Sequence, residues 1–280
     1  MKVDNRHRLV NDAGQLVPFV RTPNQGGPLA GGQPEYLIIH YTAGATADGA
    51  ISWFRNPAAQ ASAQLVIGHN GATTQMATFD QTAWHAGRSS WKGINGLNSH
   101  SVGIEIVNWG LLHGGSGNWK SWAGSSVPDN RVIMARHKNF EPQVTHAWEV
   151  FDEDQLEAAI AAAAAIVSRY AIPEANILGH DDIAPIRKQD PGPAFPMSLF
   201  KAKVFGRAEA TGTAMKVQSA TGLNLRTGPG ISFAAITLLA DGTKVIPMGS
   251  DGVWFEVTTL NAAGAEDKTG WVHSKWLVPA

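Results

Sequence analysis

The segment GHDDIAPIRKQDPGPAFP, residues 179–196, decides how this chain reads. It sets His180, Lys188 and Asp190 on a stretch broken by Pro185 and closed by a Pro-Gly-Pro turn. Imidazole and carboxylate groups ligate zinc, and an ammonium group steadies an anion beside them. Proline within and after the segment excludes a single helix face, so a rigid loop must fold back to bring His180 to Asp190. With His40 from far upstream, the set comes to three protein ligands and one open position. That pattern fits a catalytic zinc better than a structural one. On spacing alone a second reading stands beside it: a solvated Asp-Pro-Gly turn with a surface histidine, and a His40 that is simply a core residue of an apolar strand.

Outward from this segment, the chain alternates short strands with helices. YLIIHYT (36–42) has the apolar run of a buried strand. Ala47, Ala50, Ile51 and Phe54 repeat at helical spacing and predict a helix over 46–55, stopped by Asn56-Pro57. ASAQLVIGHNGATTQM (61–76) reads as two strands joined at His69-Asn70-Gly71. In SVGIEIVN (101–108), Val102, Ile104 and Ile106 alternate with Gly103, Glu105 and Val107. Residues 112–130, rich in Gly, Ser and Trp, predict a surface loop. Asp152 with Gln155 starts an Ala-rich helix running to about Tyr170.

These elements make an α/β domain over 36–205, a mixed central sheet flanked by helices, preceded by an extended lead-in at 1–35. A linker of small and polar residues follows at 206–214. Residues 215–280 show only short β-like runs between turns and predict a small all-β barrel.

Composition narrows the function classes. The 280 residues carry a net charge of −1, with 16% charged and 44% hydrophobic residues. That balance speaks against nucleic acid or an anionic membrane surface as the main partner. No apolar run is long enough to span a membrane, so no membrane insertion is expected. Cysteine is absent, so a metal site must draw on His, Asp or Glu. MKVDNRHRLVNDAGQ has no apolar core of a Sec-type signal. Ten tryptophans raise a carbohydrate hypothesis, since indole faces stack on sugars, although Trp84, Trp91, Trp109 and Trp119 taken singly read as packing. His100, His113, His137 and His146 have no ligand spacing and are expected mostly at solvent.

The 179–196 segment resembles the signature of zinc-dependent N-acetylmuramoyl-L-alanine amidases of the type-2, AmpD-like family. LIIHYTAG (37–44), the 61–76 hairpin, AWHAG (83–87) and SVGIEIVN follow in the family's order, so the resemblance covers roughly residues 36–200. It implies that His40, His180 and Asp190 hold Zn2+. It also implies that Glu105 handles the proton of the attacking water and that Lys188 stabilises the oxyanion. His85 and, more weakly, Asn98 fall on the substrate side. The partner implied is peptidoglycan, cut between N-acetylmuramic acid and L-alanine.

An intact ligand set with Glu105 and Lys188 favours catalysis over a recognition-only relative, and a toxin or phage lysin would use the same chemistry. LNLRTGPG (223–230) and TGWVHSKWL (269–277) resemble bacterial SH3-like domains, which implies cell-wall attachment. A wall anchor points to periplasmic or secreted action, exported without a recognisable Sec signal. Cytoplasmic action stays open.

Overall fold

Tyr36–Tyr41 forms β1, and all six of its residues are buried. A strand so apolar on both faces belongs inside a parallel sheet. The computed structural model describes residues 1–140, 144–205, 214–251 and 253–280. These fall into two compact units, Met1–Val132 with His137–Phe195 and Ile133–Arg136 with Pro196–Ala280.

In the first unit, β1 leads to α1 (Ala47–Arg55), capped where the Gly49 N–H donates to Thr46 Oγ1 at 3.1 Å. Ala47, Ala50, Ile51 and Phe54 pack on Ala63, Val66 and Met76. The hairpin then forms as expected: β2 (Leu65–Ile67) pairs antiparallel with β3 (Thr73–Gln75). Gly71 turns the chain at φ +74, in the left-handed region that glycine enters without strain. Next come β4 (Ser101–Ile106), the long helix α2 (Glu153–Tyr170) and β5 (Ile177–Gly179). The sheet order is β5-β1-β4-β2-β3, parallel except at the last pair. Gln155, Ala159, Ala162, Ala163, Ile166 and Tyr170 form the buried stripe of α2. Gln155 Oε1 accepts the Asp152 N–H at 2.9 Å, closing the predicted capping box.

Two stretches differ from the sequence reading. Residues 1–35, expected as an extended lead-in, hold short paired strands, Lys2–Val3 with Leu9–Val10 and Gln25–Pro28 with Gln81–Ala83, and they are built into the first unit rather than leading up to it. Leu9, Val10, Val17 and Leu29 are buried. The Gln75 side chain clamps the lead-in, accepting from Leu9 N–H at 2.9 Å and donating to His7 O at 3.0 Å. Residues 112–130 are a loop only in part. Trp119–Lys120 pairs with Ser126–Val127, and Leu112 and Val127 bury against Ala147. Both stretches use side chains with no periodic signature, which is why patterning did not show their burial.

The short helix α3 (His180–Ile183) follows β5, and α4 (Met197–Val204) belongs to the second unit. The linker expected at 206–214 lies outside the described residues except for Ala214. The rest of the second unit is all β: β6 (Met215–Val217), β7 (Leu223–Arg226), β8 (Ala235–Leu239), β9 (Lys244–Asp251), β10 (Trp254–Leu260), β11 (Glu266–His273) and β12 (Leu277–Pro279). These strands form one antiparallel sheet in the order β8-β7-β11-β10-β9-β6-β12 around Val217, Leu225, Val245, Val257 and Val272.

Candidate active site

The site is assembled on the central strands. His40 on β1 and Glu105 on β4 are register partners, so they stand one strand spacing apart, about 4.8 Å. β5 delivers His180 as it passes into α3. The following loop turns back through Pro185, and the Asp181 N–H donates to Asp190 O at 2.8 Å. That bond lays the two ends of the loop side by side. Three further contacts hold it: His137 Nε2 sits 3.2 Å from Asp181 Oδ2, Lys138 Nζ lies 2.8 Å from Asp181 Oδ1, and His137 Nε2 lies 3.0 Å from Gln189 O. His137 was expected at solvent; it is 2% exposed and stacked on Trp148. The groups it holds, Asp181 and Gln189, are distant in sequence, so spacing could not reveal that role.

His40, His180 and Asp190 converge. His40 Nδ1 and His180 Nδ1 are 2.9 Å apart, and each lies 3.0 Å from Asp190 Oδ2. All three residues are buried. Hydrogen bonding does not account for this triangle. If both imidazoles donate to the carboxylate, their N–H groups face each other at contact distance. A cation among three lone-pair donors removes the conflict, and this His-His-Asp set can hold a metal ion. The outer nitrogen of His180 agrees. Nε2 faces Ala86 O at 3.1 Å, closer than Arg187 Nη2 at 3.4 Å, whose short bonds go to Ala86 O and Arg88 O. A carbonyl only accepts, so Nε2 carries the proton and Nδ1 is left bare toward the centre.

Burial shapes the protonation of the cluster. It lowers the His40 pKa to about 4, aided by repulsion from His180 and opposed by Asp190. It also holds His85 well below the usual histidine range. For Asp190 burial acts upward, but its close contacts with His180 and His40 outweigh it and hold the carboxyl far below its ordinary value. His40 is therefore a neutral imidazole and Asp190 a carboxylate, the forms that metal binding requires. Glu105 behaves in the opposite way: burial, reinforced by the Asp190 charge, pushes its pKa well up, and Lys188 only partly offsets this. Its Oε2 is sealed from solvent and has no hydrogen-bond partner among the described residues.

Glu105, His180, Lys188 and Asp190 line an open groove of about 1220 Å³ together with Trp53, Trp84 and Trp122. His85 also lines it, but both of its ring nitrogens are engaged, with His40 Nε2 at 3.0 Å and Ser101 Oγ at 3.3 Å. Asn98 is placed differently from its substrate-side expectation. It is not among the groove's lining residues, and its Oδ1 accepts the Ala86 N–H at 2.6 Å.

Trp53 and Trp122, 55% and 68% exposed, were not singled out from the sequence. Trp53 falls off the apolar stripe of α1, which is a readable sign of an outward indole. Trp122 is held by a hydrogen bond from Nε1 to Ala43 O at 2.8 Å and by edge contact with Trp109. Arg187 was also passed over; its Nη2 donates to Ala86 O at 2.8 Å and Arg88 O at 2.9 Å.

Residues 30–193 match the family described as N-acetylmuramoyl-L-alanine amidase, more than half of the chain. The chain belongs to the N-acetylmuramoyl-L-alanine amidase family. Residues 221–278 match the bacterial SH3 domain. Among curated proteins, the chain is 34% identical over 167 residues to the N-acetylmuramoyl-L-alanine amidase AmiD of Escherichia coli (strain K12), covering 57% of this chain and 49% of that protein. It is 31% identical over 141 residues to the 1,6-anhydro-N-acetylmuramyl-L-alanine amidase AmpD of Enterobacter cloacae, covering 50% and 56%. The chain thus spans about half the length of the curated relatives it matches. A solved structure of a selenomethionine AmpD derivative aligns over 72% of this chain and 99% of its own, with a TM-score of 0.50 and 24% identity, a likeness of fold. The mixed sheet with flanking helices and the all-β C-terminal region agree with the architecture expected from sequence.

Proposed function

We propose that this chain is a zinc-dependent N-acetylmuramoyl-L-alanine amidase acting on peptidoglycan, with His40, His180 and Asp190 as the metal ligands. One observation carries the reading: three ligand atoms about 3 Å apart on a groove floor, beside a buried carboxylate with an unpartnered oxygen. A non-catalytic wall-binding protein would have no use for that carboxylate, because an unpartnered buried polar group costs stability.

A bound zinc ion would supply Lewis acidity, acidifying water and polarising the amide carbonyl. Glu105 in its carboxylate form, made more basic by burial, takes a proton from the attacking water, becomes the neutral acid, and delivers that proton to the nitrogen of the departing L-alanine. Lys188 faces the same groove and stabilises negative charge developing on the amide oxygen. Trp53 and Trp122 offer flat apolar faces to sugar rings along the groove. The C-terminal domain attaches the enzyme to the wall, which places its action at the cell envelope.

The test is mass spectrometry of muropeptides digested with and without a chelator. Free stem peptides beginning at L-alanine, lost on chelation and restored by zinc, are expected. Cleavage at another bond, or undiminished cleavage in chelator, would overturn the proposal.

A further inference from the structure

His40 and His180 reach the same centre, but their outer nitrogens are treated differently. His180 Nε2 has the Ala86 carbonyl to fix its proton. His40 sits on an interior strand, whose neighbouring carbonyls are drawn into the sheet, and its Nε2 meets another imidazole, His85 Nδ1, at 3.0 Å. An imidazole can donate or accept there, so this contact alone sets nothing. The next links do. Ser101 Oγ donates to Leu97 O at 2.5 Å, which commits the hydroxyl proton because a carbonyl only accepts. Ser101 Oγ is then an acceptor for His85 Nε2 at 3.3 Å. With its proton on Nε2, neutral His85 presents a bare Nδ1, His40 Nε2 must donate to it, and His40 Nδ1 is left bare toward His180 and Asp190.

Packing holds the relay in place. The His85 ring lies against Gly103 of β4, where an added Cβ would come within 2.5 Å of His85 Cγ. It meets the His40 ring edge-on, with centroids 5.1 Å apart. Its neighbour Ala86 is pinned by Asn98 Oδ1 at 2.6 Å and accepts from His180 Nε2. Two consecutive residues, one by side chain and one by carbonyl, therefore orient both imidazoles.

We infer that His85 is a positioning residue for the metal centre: through Ser101 and the Leu97 carbonyl it holds His40 in the tautomer whose Nδ1 can ligate. The inference rests on the metal-site reading above and goes beyond it, because it moves His85 from the substrate side to the support of a ligand. Groups in this position change metal affinity by about 10- to 100-fold.

The experiment measures zinc affinity of the full chain, stripped of metal, by competition with a chromophoric chelator, alongside thermal unfolding of each metal-free variant. His85→Leu removes the acceptor and should weaken zinc binding by about 10-fold or more. His85→Asn puts an amide oxygen near the position of Nδ1 and should keep affinity within about 3-fold of wild type. Ser101→Ala frees the His85 tautomer and should fall between them. Wild-type affinity in His85→Leu, or equal loss in His85→Asn, overturns the inference, since a purely structural role would not be rescued by an acceptor. If His85→Leu does not fold, Ser101→Ala decides, and unchanged affinity there overturns it. A wild-type chain that binds zinc yet releases no stem peptide would sink the amidase reading while leaving the relay tested by the same affinities.

Discussion

Glu105 in the first unit and Glu266 in the second are both carboxylates drawn in from solvent, and burial raises both above the usual glutamate range. Their surroundings differ. Glu266 accepts the Ser198 N–H at 3.3 Å and the Leu199 N–H at 3.5 Å, at the start of α4. Glu105 lines the groove, and its Oε2 is sealed from solvent with no partner among the described residues. The contrast extends to the units themselves. The first buries His40, His85, His180 and Asp190, whereas the fully buried polar residues described in the second are the hydroxyl-bearing Ser219, Thr258 and Thr259. A satisfied carboxylate is an internal cap. An unsatisfied one beside a convergent ligand set is reactive equipment, kept at a cost in stability.

The largest expected effect breaks the ligand set. His180→Ala should lose bound metal and reduce stem-peptide release by about 10³-fold or more, measured by metal content and muropeptide analysis. Retained metal with full turnover would remove the first unit's claim to a metal centre.

Glu105→Gln should keep the metal and lower kcat by about 10²- to 10⁴-fold, while Glu266→Gln should leave turnover unchanged. Both folded pKa values are raised, so pH acts on the stability contributions of the two in the same direction. The folded pKa of Glu105 lies above its ordinary 4.5. Its contribution is therefore fully present below pH 4.5 and is lost as pH rises through the folded value. Metal-free Glu105→Gln should accordingly melt above metal-free wild type at neutral pH; a lower melting temperature would contradict the assignment. Lys188→Ala should retain metal and lose about 10²-fold in kcat. Trp122→Ala should mainly raise KM, by about 10-fold, with kcat little changed. The smallest effect on soluble muropeptides, within about 2-fold, is expected from deleting 214–280, since chemistry and anchoring then reside in separate units. The same deletion should abolish pelleting with insoluble wall; pelleting as wild type would count against anchoring.

Much of the fold was legible because it is periodic. β1, the Asn-Gly hairpin and the Ala stripe of α2 follow from local patterns, and α2 begins where Asp152 and Gln155 place it. The ligand trio was legible only through family resemblance, since its spacing also fits an ordinary turn. What spacing could not carry were contacts set by tertiary packing. Nothing around Gln75 announces that its amide gathers the N-terminal residues, and nothing local to His137 places it against Trp148. His85 was assigned toward substrate because AWHAG resembles the family's substrate-side segment, and Asn98 because it lies in the loop before the acidic strand. The sequence does not say which way an imidazole turns once its two nitrogens find His40 and Ser101.

The pairing of Glu105 with His40 has a consequence for how the site tolerates change. Six consecutive register partners tie β1 to β4. A slip by one residue would turn Glu105 to the opposite face and bring an isoleucine into its place. Loop motion therefore cannot alter the separation of this pair. The His180–Asp190 pair instead spans a turn, and warming would slacken it first. Segments over the groove can thus be lengthened or exchanged by an engineer without disturbing the register that sets Glu105 beside His40.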